Sequence, residues 1–157
     1  MPRAWRLIKQ NHVANAFDGA GARLYGSRWS SPGLRVAFAA ETLSLAVLEM
    51  LVHLQNSYPM AGYAVFTVDF PQELVEILNP NSLPRHWRRF PAPPEVQAIG
   101  DQWLGISSSV LLRVPSAIIP HEHNFLINPS HADFSKLEIG GPVPFDIDPR
   151  VFDRSRP

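Results

Sequence analysis

The sequence has no cysteine, which excludes a disulfide framework, a zinc–thiolate site and a cysteine nucleophile. Lysine is nearly missing: Lys9 and Lys136 are the only two, and the other twelve basic residues are arginines. Net charge is missing as well, with 14 Lys+Arg against 14 Asp+Glu. That balance argues against non-specific nucleic-acid binding, which needs a basic face to displace counterions. Long apolar runs are absent. The most apolar stretch, Leu43 to Leu54, is interrupted by Ser44, Glu49 and His53 and is too short to span a bilayer. The N-terminus turns polar by Lys9 and lacks the apolar core of a signal peptide. The expectation is a soluble, cytoplasmic chain with no membrane partner and no direct nucleic-acid partner.

Familiar site motifs are missing too. There is no Gly-x-Ser-x-Gly elbow, no Walker loop and no Gly-x-Gly-x-x-Gly fingerprint; Gly19-Ala20-Gly21 alone is a turn. His121-Glu122-His123 and His131 cluster in sequence, and positions 121 and 123 would share one side of a strand. No third ligand stands at a recognised spacing, so no metal is expected.

What is present suits one compact domain. The chain has 157 residues and is 45% hydrophobic, a size at which roughly 70% of the unfolded surface can be buried. Its sixteen prolines imply short elements and ordered loops. Ala4–Ile8, Arg35–Ala39, Tyr63–Phe70 and Leu74–Leu78 read as strands, as do Ser109–Val114, Asn124–Ile127 and Leu137–Ile139. Asp18–Gly21 reads as a loop.

Thr42 to Leu54 is the clearest helix, with Thr42 as N-cap. Its polar residues Thr42, Glu49, His53 and Asn56 share one face, and the rest would face a core. Pro94–Leu104 reads as a second helix, weakened by Gly100. The expected architecture is α+β, with mixed short-stranded sheets around a central amphipathic helix. One domain would span 1–157, with a core of about 4–140 and a Pro-rich tail over 141–157.

Pro80 to Pro94 holds five prolines and the run Arg85-His86-Trp87-Arg88-Arg89, and should be irregular. That run suits base stacking or phosphate binding, but zero net charge favours a solvated loop anchored by Trp87. Arg28 lies in a turn, Phe38 on the following strand and Glu49 in the helix after it. Such a path can fold back and bring a guanidinium and a carboxylate to one cleft. On spacing alone the plainer readings prevail: Arg28 as a surface loop residue, Glu49 as part of a wet helix face.

The fragments add up to more in order. Trp5-Arg6, Gly26-Ser-Arg-Trp29, Ser31-Pro-Gly33, the strand to Phe38 and Leu45-Ala-Val-Leu-Glu49 resemble the RES-domain family. Gly100-Asp-Gln-Trp-Leu104, Ser108 to Ser116 and Asn124 to His131 fit the same family, so the resemblance runs from about Trp5 to Ile139. It implies a fold like ADP-ribosyltransferases and a toxin of a bacterial toxin–antitoxin pair. It also implies consumption of NAD+ as substrate, with no prosthetic group, and a cognate antitoxin with an Xre-like domain. The resemblance places the catalytic Arg, Glu and Ser at Arg28, Glu49 and Ser108, with Ser109 as the neighbour one register away. Arg28, Trp29, Phe38, Tyr25, Ser109 and Asn124 would line the NAD+ site. The family has tyrosine where this chain has Phe38, which keeps a ring but lacks a hydroxyl; Tyr25 is the nearby phenol. Water or phosphate would accept the ADP-ribose, a host protein being the alternative and a non-enzymatic binding module the second alternative.

Overall fold

The computed structural model of the protein describes residues 1–54 and 62–151. Seven strands form one sheet in the order β4-β5-β6-β2-β1-β3-β7. They are β1 (Arg3–Lys9), β2 (Ala37–Ala40), β3 (Tyr63–Asp69), β4 (Val75–Ile77), β5 (Leu111–Pro115), β6 (His123–Ile127) and β7 (Glu138–Phe145). All neighbours are antiparallel except β4 and β5. Three α-helices, α1 (Ala20–Tyr25), α2 (Leu43–His53) and α3 (Pro94–Ile106), complete the α+β fold.

The alternation of side chains along the strands divides the core. Ala37, Ala39, Leu111, Phe125 and Ile127 face one cluster with Val68 and Phe70. Phe38, Leu112, Val114 and Leu126 face the other with Trp29, Val96 and Trp103. α3 covers this second face because Val96, Gly100 and Trp103, spaced by 4 and 3, form its buried stripe. It starts at Pro94, whose missing N–H costs nothing at a helix start, and ends at Ser107 in the left-handed region (φ 57°).

The strand at the start of the chain and those near Phe38 and Tyr63 form where their patterns predict. α2 also starts as expected, the Thr42 hydroxyl accepting the Leu45 N–H at 3.0 Å. Its faces differ from expectation. Leu45 and Ala46 are buried, Leu48 and Val52 are exposed, and Glu49 is half-buried. α2 packs across β1 and β2 rather than being wrapped by core, so an apolar residue on its outer side stays wet. Asn56, expected on the polar face, lies outside the described residues.

Two further expectations are corrected. α1 occupies the stretch that begins in the expected Asp18–Gly21 loop, where Asp18 Oδ1 accepts the Ala20 N–H at 2.9 Å and Gly19 takes φ 71°. The chain from 141 is not a tail as far as Phe145: β7 pairs along β3 from Asp69↔Glu138 to Tyr63↔Phe145. Pro142 and Pro144 are tolerated because β7 is the edge strand. Residues 152–157 of that expected tail lie outside the description.

Candidate active site

The site is built on the end of the β5–β6 hairpin and on α2. β5 and β6 pair so that Val114 stands opposite Asn124, and the Ser116 N–H continues the ladder to the Glu122 carbonyl at 2.9 Å. Ser116 and Asn124 therefore stand side by side at one end of the sheet. Both donate to the same atom of α2: Ser116 Oγ lies 2.8 Å and Asn124 Nδ2 2.6 Å from Glu49 Oε1. Glu49 Oε2 has no hydrogen-bond partner among the described residues. Ser116 is fully buried, and its hydroxyl also accepts the Ile118 and Ile119 N–H groups at 3.1 Å each. With its acceptor capacity used, its proton goes to the carboxylate. The result is a carboxylate fixed by one oxygen with the other free, which suits stabilisation of a nearby positive charge.

Arg28 approaches from the loop before β2. That loop is braced by Ser27 Oγ and Ser30 Oγ 2.6 Å apart, and by Gln97 of α3 reaching the Ser27 carbonyl at 3.0 Å. Asp101, also on α3, accepts the Ser31 N–H at 2.8 Å and the Ser31 hydroxyl at 2.5 Å. Arg28 is half-buried, and its Nη1 donates to the carbonyls of Trp87 and Arg89, both at 2.9 Å. Between them, Arg88 sends Nε to the Ala117 carbonyl at 2.8 Å, next to Ser116. Burial pushes the Arg28 guanidinium below its ordinary value; the charge of Glu49 opposes that push, and Arg88 adds to it. Two guanidiniums and one carboxylate thus share a field, with the cations in excess. An anion is the ligand that would relieve them.

The structure bonds Asn124 to Glu49, sets Arg28 within electrostatic reach of Glu49, and puts Phe38 on the same sheet face as Asn124, through the pairs Phe38↔Leu126 and Ala40↔Asn124. It does not bring Ser108 or Ser109 there. Ser108 Oγ donates to Glu76 Oε2 at 2.7 Å and Ser109 Oγ to the same oxygen at 3.2 Å. Strand β5, five residues long, separates them from Ser116, a span of roughly 16 Å at about 3.3 Å per residue. Ser116, not Ser108, is the serine that bonds Glu49. Trp29 is 4% exposed, and its ring packs 6.0 Å from that of Trp87 in the core, so it supports the Arg28 loop rather than walling a cleft. Tyr25 is 85% exposed at the end of α1.

Sequence reasoning missed Ser116 and Arg88. The signal for Ser116 was its position: a serine closing one strand and an asparagine opening the next must meet if the two strands form a hairpin. Arg88 had no such signal, because its partners lie 29 and 30 positions away.

Residues 3–148 match the RES domain family. The chain belongs to that family. Curated relatives of this RES domain include a protein named Toxin Res from Yersinia enterocolitica, 36% identical over 94% of this chain and 97% of that one. Another, from a Sphingobium strain, is named Prs ADP-ribosylating toxin and is 35% identical over 94% of both chains. Among solved structures, a chain of the M. tuberculosis MbcT–MbcA toxin–antitoxin complex has the same fold. The TM-score is 0.76 at 19% identity, covering 96% of this chain and 86% of that one.

Proposed function

We propose that this RES domain is the toxin of a toxin–antitoxin pair that cleaves the nicotinamide–ribose bond of NAD+ and passes ADP-ribose to water or phosphate. The carrying observation is the carboxylate of Glu49, held on one oxygen by Ser116 and Asn124, with the Arg28 guanidinium within reach of its charge. When the bond breaks, its electron pair returns to the pyridinium nitrogen and nicotinamide leaves neutral. Positive charge builds on ribose C1′, as in glycoside hydrolysis. Glu49 Oε2 stabilises that charge or holds a ribose hydroxyl. Water or phosphate then bonds to C1′, and with water the surplus proton goes to solvent. Arg28 and Arg88 grip the pyrophosphate, and Phe38 gives the nicotinamide an apolar wall. Ser116 and Asn124 act through Glu49 as positioning residues; Ser108, Ser109 and Tyr25 have no part in this scheme.

Arg28→Ala is expected to raise KM for NAD+ by about tenfold or more with a smaller change in kcat, since it removes a charge-assisted contact. An unchanged KM in steady-state kinetics would remove the phosphate role. Ser116→Ala should lower kcat by about 10–100-fold, the worth of roughly 1.5–3 kcal/mol for a hydrogen bond to a charged group. Ser108→Ala should leave the rate unchanged; the reverse ranking would return the catalytic serine to position 108.

A second reading, transfer of ADP-ribose to a protein, is favoured by the relative named Prs ADP-ribosylating toxin. Incubation with NAD+, with and without phosphate and with cell extract, separates the acceptors by the mass of the ADP-ribose product. The antitoxin expected from the family resemblance, with its Xre-like domain, would inhibit most simply by placing a carboxylate against Arg28. Co-purification with a neighbouring gene product tests that partner.

A further inference from the structure

Arg113 stands mid-strand on β5, between Ile77 of β4 and Phe125 of β6. Its Nε is buried with no hydrogen-bond partner, and among the described residues its side chain makes no ion pair. A buried donor left unpaired is costly and uncommon in a folded protein. Arg113 borders a cavity of about 240 Å³ whose other walls include Leu78, Leu83, Trp87, Pro115 and His123. Among the described residues, no aspartate or glutamate lines it. His123 is already engaged, its Nδ1 lying 3.6 Å from Glu41 Oε1. The cavity is therefore mostly apolar-walled and is bordered by one half-buried arginine that has no acidic partner among the described residues.

We propose that this cavity is a second binding site, for a one-ring aromatic ligand carrying a phosphate or carboxylate. The anionic group satisfies the Arg113 guanidinium, and the ring lies among Trp87, Leu83 and Pro115. The volume is below that of sites for drug-sized ligands, which limits the ligand to a single ring with its anionic substituent. The site is distinct from that of the dinucleotide: Arg28, Glu49, Ser116 and Asn124 do not line it. It is nonetheless next to it. Pro115 precedes Ser116, His123 precedes Asn124, and the Trp87 carbonyl holds Arg28. A ligand seated there stiffens the strand ends that present the positioning residues to Glu49.

Phenyl phosphate, inorganic phosphate and benzyl alcohol are the probes, titrated calorimetrically against the intact chain without NAD+. Phenyl phosphate should bind saturably and more tightly than either other probe. Arg113→Gln should weaken it by about tenfold or more, as loss of a charge-assisted contact requires. Leu83→Trp, which fills the cavity and leaves Arg113 in place, should weaken it too. Excess ADP-ribose, which on the proposed function occupies the dinucleotide site without turnover, should not displace it. Equal binding by wild type and Leu83→Trp overturns the proposal whether or not Arg113→Gln folds, which thermal melting establishes. Displacement of phenyl phosphate by ADP-ribose also overturns it, by assigning the probe to the dinucleotide site. Inorganic phosphate binding as tightly as phenyl phosphate overturns the aromatic class.

Discussion

Replacing Glu49 by glutamine is expected to lower NAD+ turnover by about 10²–10³-fold while coenzyme binding persists. The substitution is close to isosteric. The amide oxygen can still accept from Ser116 Oγ and Asn124 Nδ2, the two donors now 2.8 and 2.6 Å from Oε1, so the local frame survives. What disappears is the negative charge on the free side of the carboxylate, where C1′ gains positive charge in the transition state. Removing one preorganised electrostatic contact of that kind typically costs about 10²–10³ in kcat, or roughly 2.7–4 kcal/mol. On the proposed function, ground-state binding rests instead on Arg28 and Arg88, which the substitution leaves in place. Nicotinamide release measures turnover, and calorimetric titration with NAD+ measures binding. A glutamine variant at full rate would strip Glu49 of its chemical role. One that no longer binds NAD+ would make Glu49 a binding residue instead.

The parts of this molecule legible in its sequence are those fixed by local chemistry. Tyr63–Asp69 is a nearly wholly buried strand flanked on both sides, and it shows as a run of apolar and β-branched residues as far as Val68. Thr42 marks the start of α2 because its hydroxyl caps the first turn. β7 was hidden by Gly140, Gly141, Pro142 and Pro144, which break central strands but are tolerated at an edge. The site followed the same division. Glu49 and Arg28 were assigned through an ordered set of fragments. Ser116, not Ser108, is the serine bonded to Glu49; the two flank the same strand, and spacing alone does not say which end meets α2. The hairpin register decides it. The Arg85–Arg89 run has the expected Trp87 anchor, packed on Trp29, while Arg88 reaches the loop after β5. That contact depends on the route of the 80–93 segment across the sheet, which no local pattern specifies.

Gly100→Ala is expected to destabilise the protein by about 3 kcal/mol or more, the upper part of the range for overpacking a close contact. Gly100 is where α3 touches the Arg28 loop: a Cβ there would stand 1.7 Å from the Trp29 carbonyl oxygen and 2.9 Å from its carbon. Both obstacles are backbone, so no side chain can rotate away; α3 or the loop must move. Movement would disturb the bonds from Gln97 and Asp101 that hold residues 27–31, and with them the position of Arg28. For a domain of this size, 3 kcal/mol corresponds to a fall in Tm of roughly 6–12 °C. Gly105, later in the same helix, is the control. An added Cβ there meets nothing within 4 Å, so Gly105→Ala should stabilise by about 0.5–1 kcal/mol through helix propensity alone. Thermal unfolding of the two variants beside wild type compares one chemical change in two settings. If both shift Tm upward, the contact between α3 and the Trp29 carbonyl is not the tight seam that positions Arg28. A fall for Gly100→Ala alone, with KM for NAD+ rising as in Arg28→Ala, would tie the packing of α3 to the grip on the substrate.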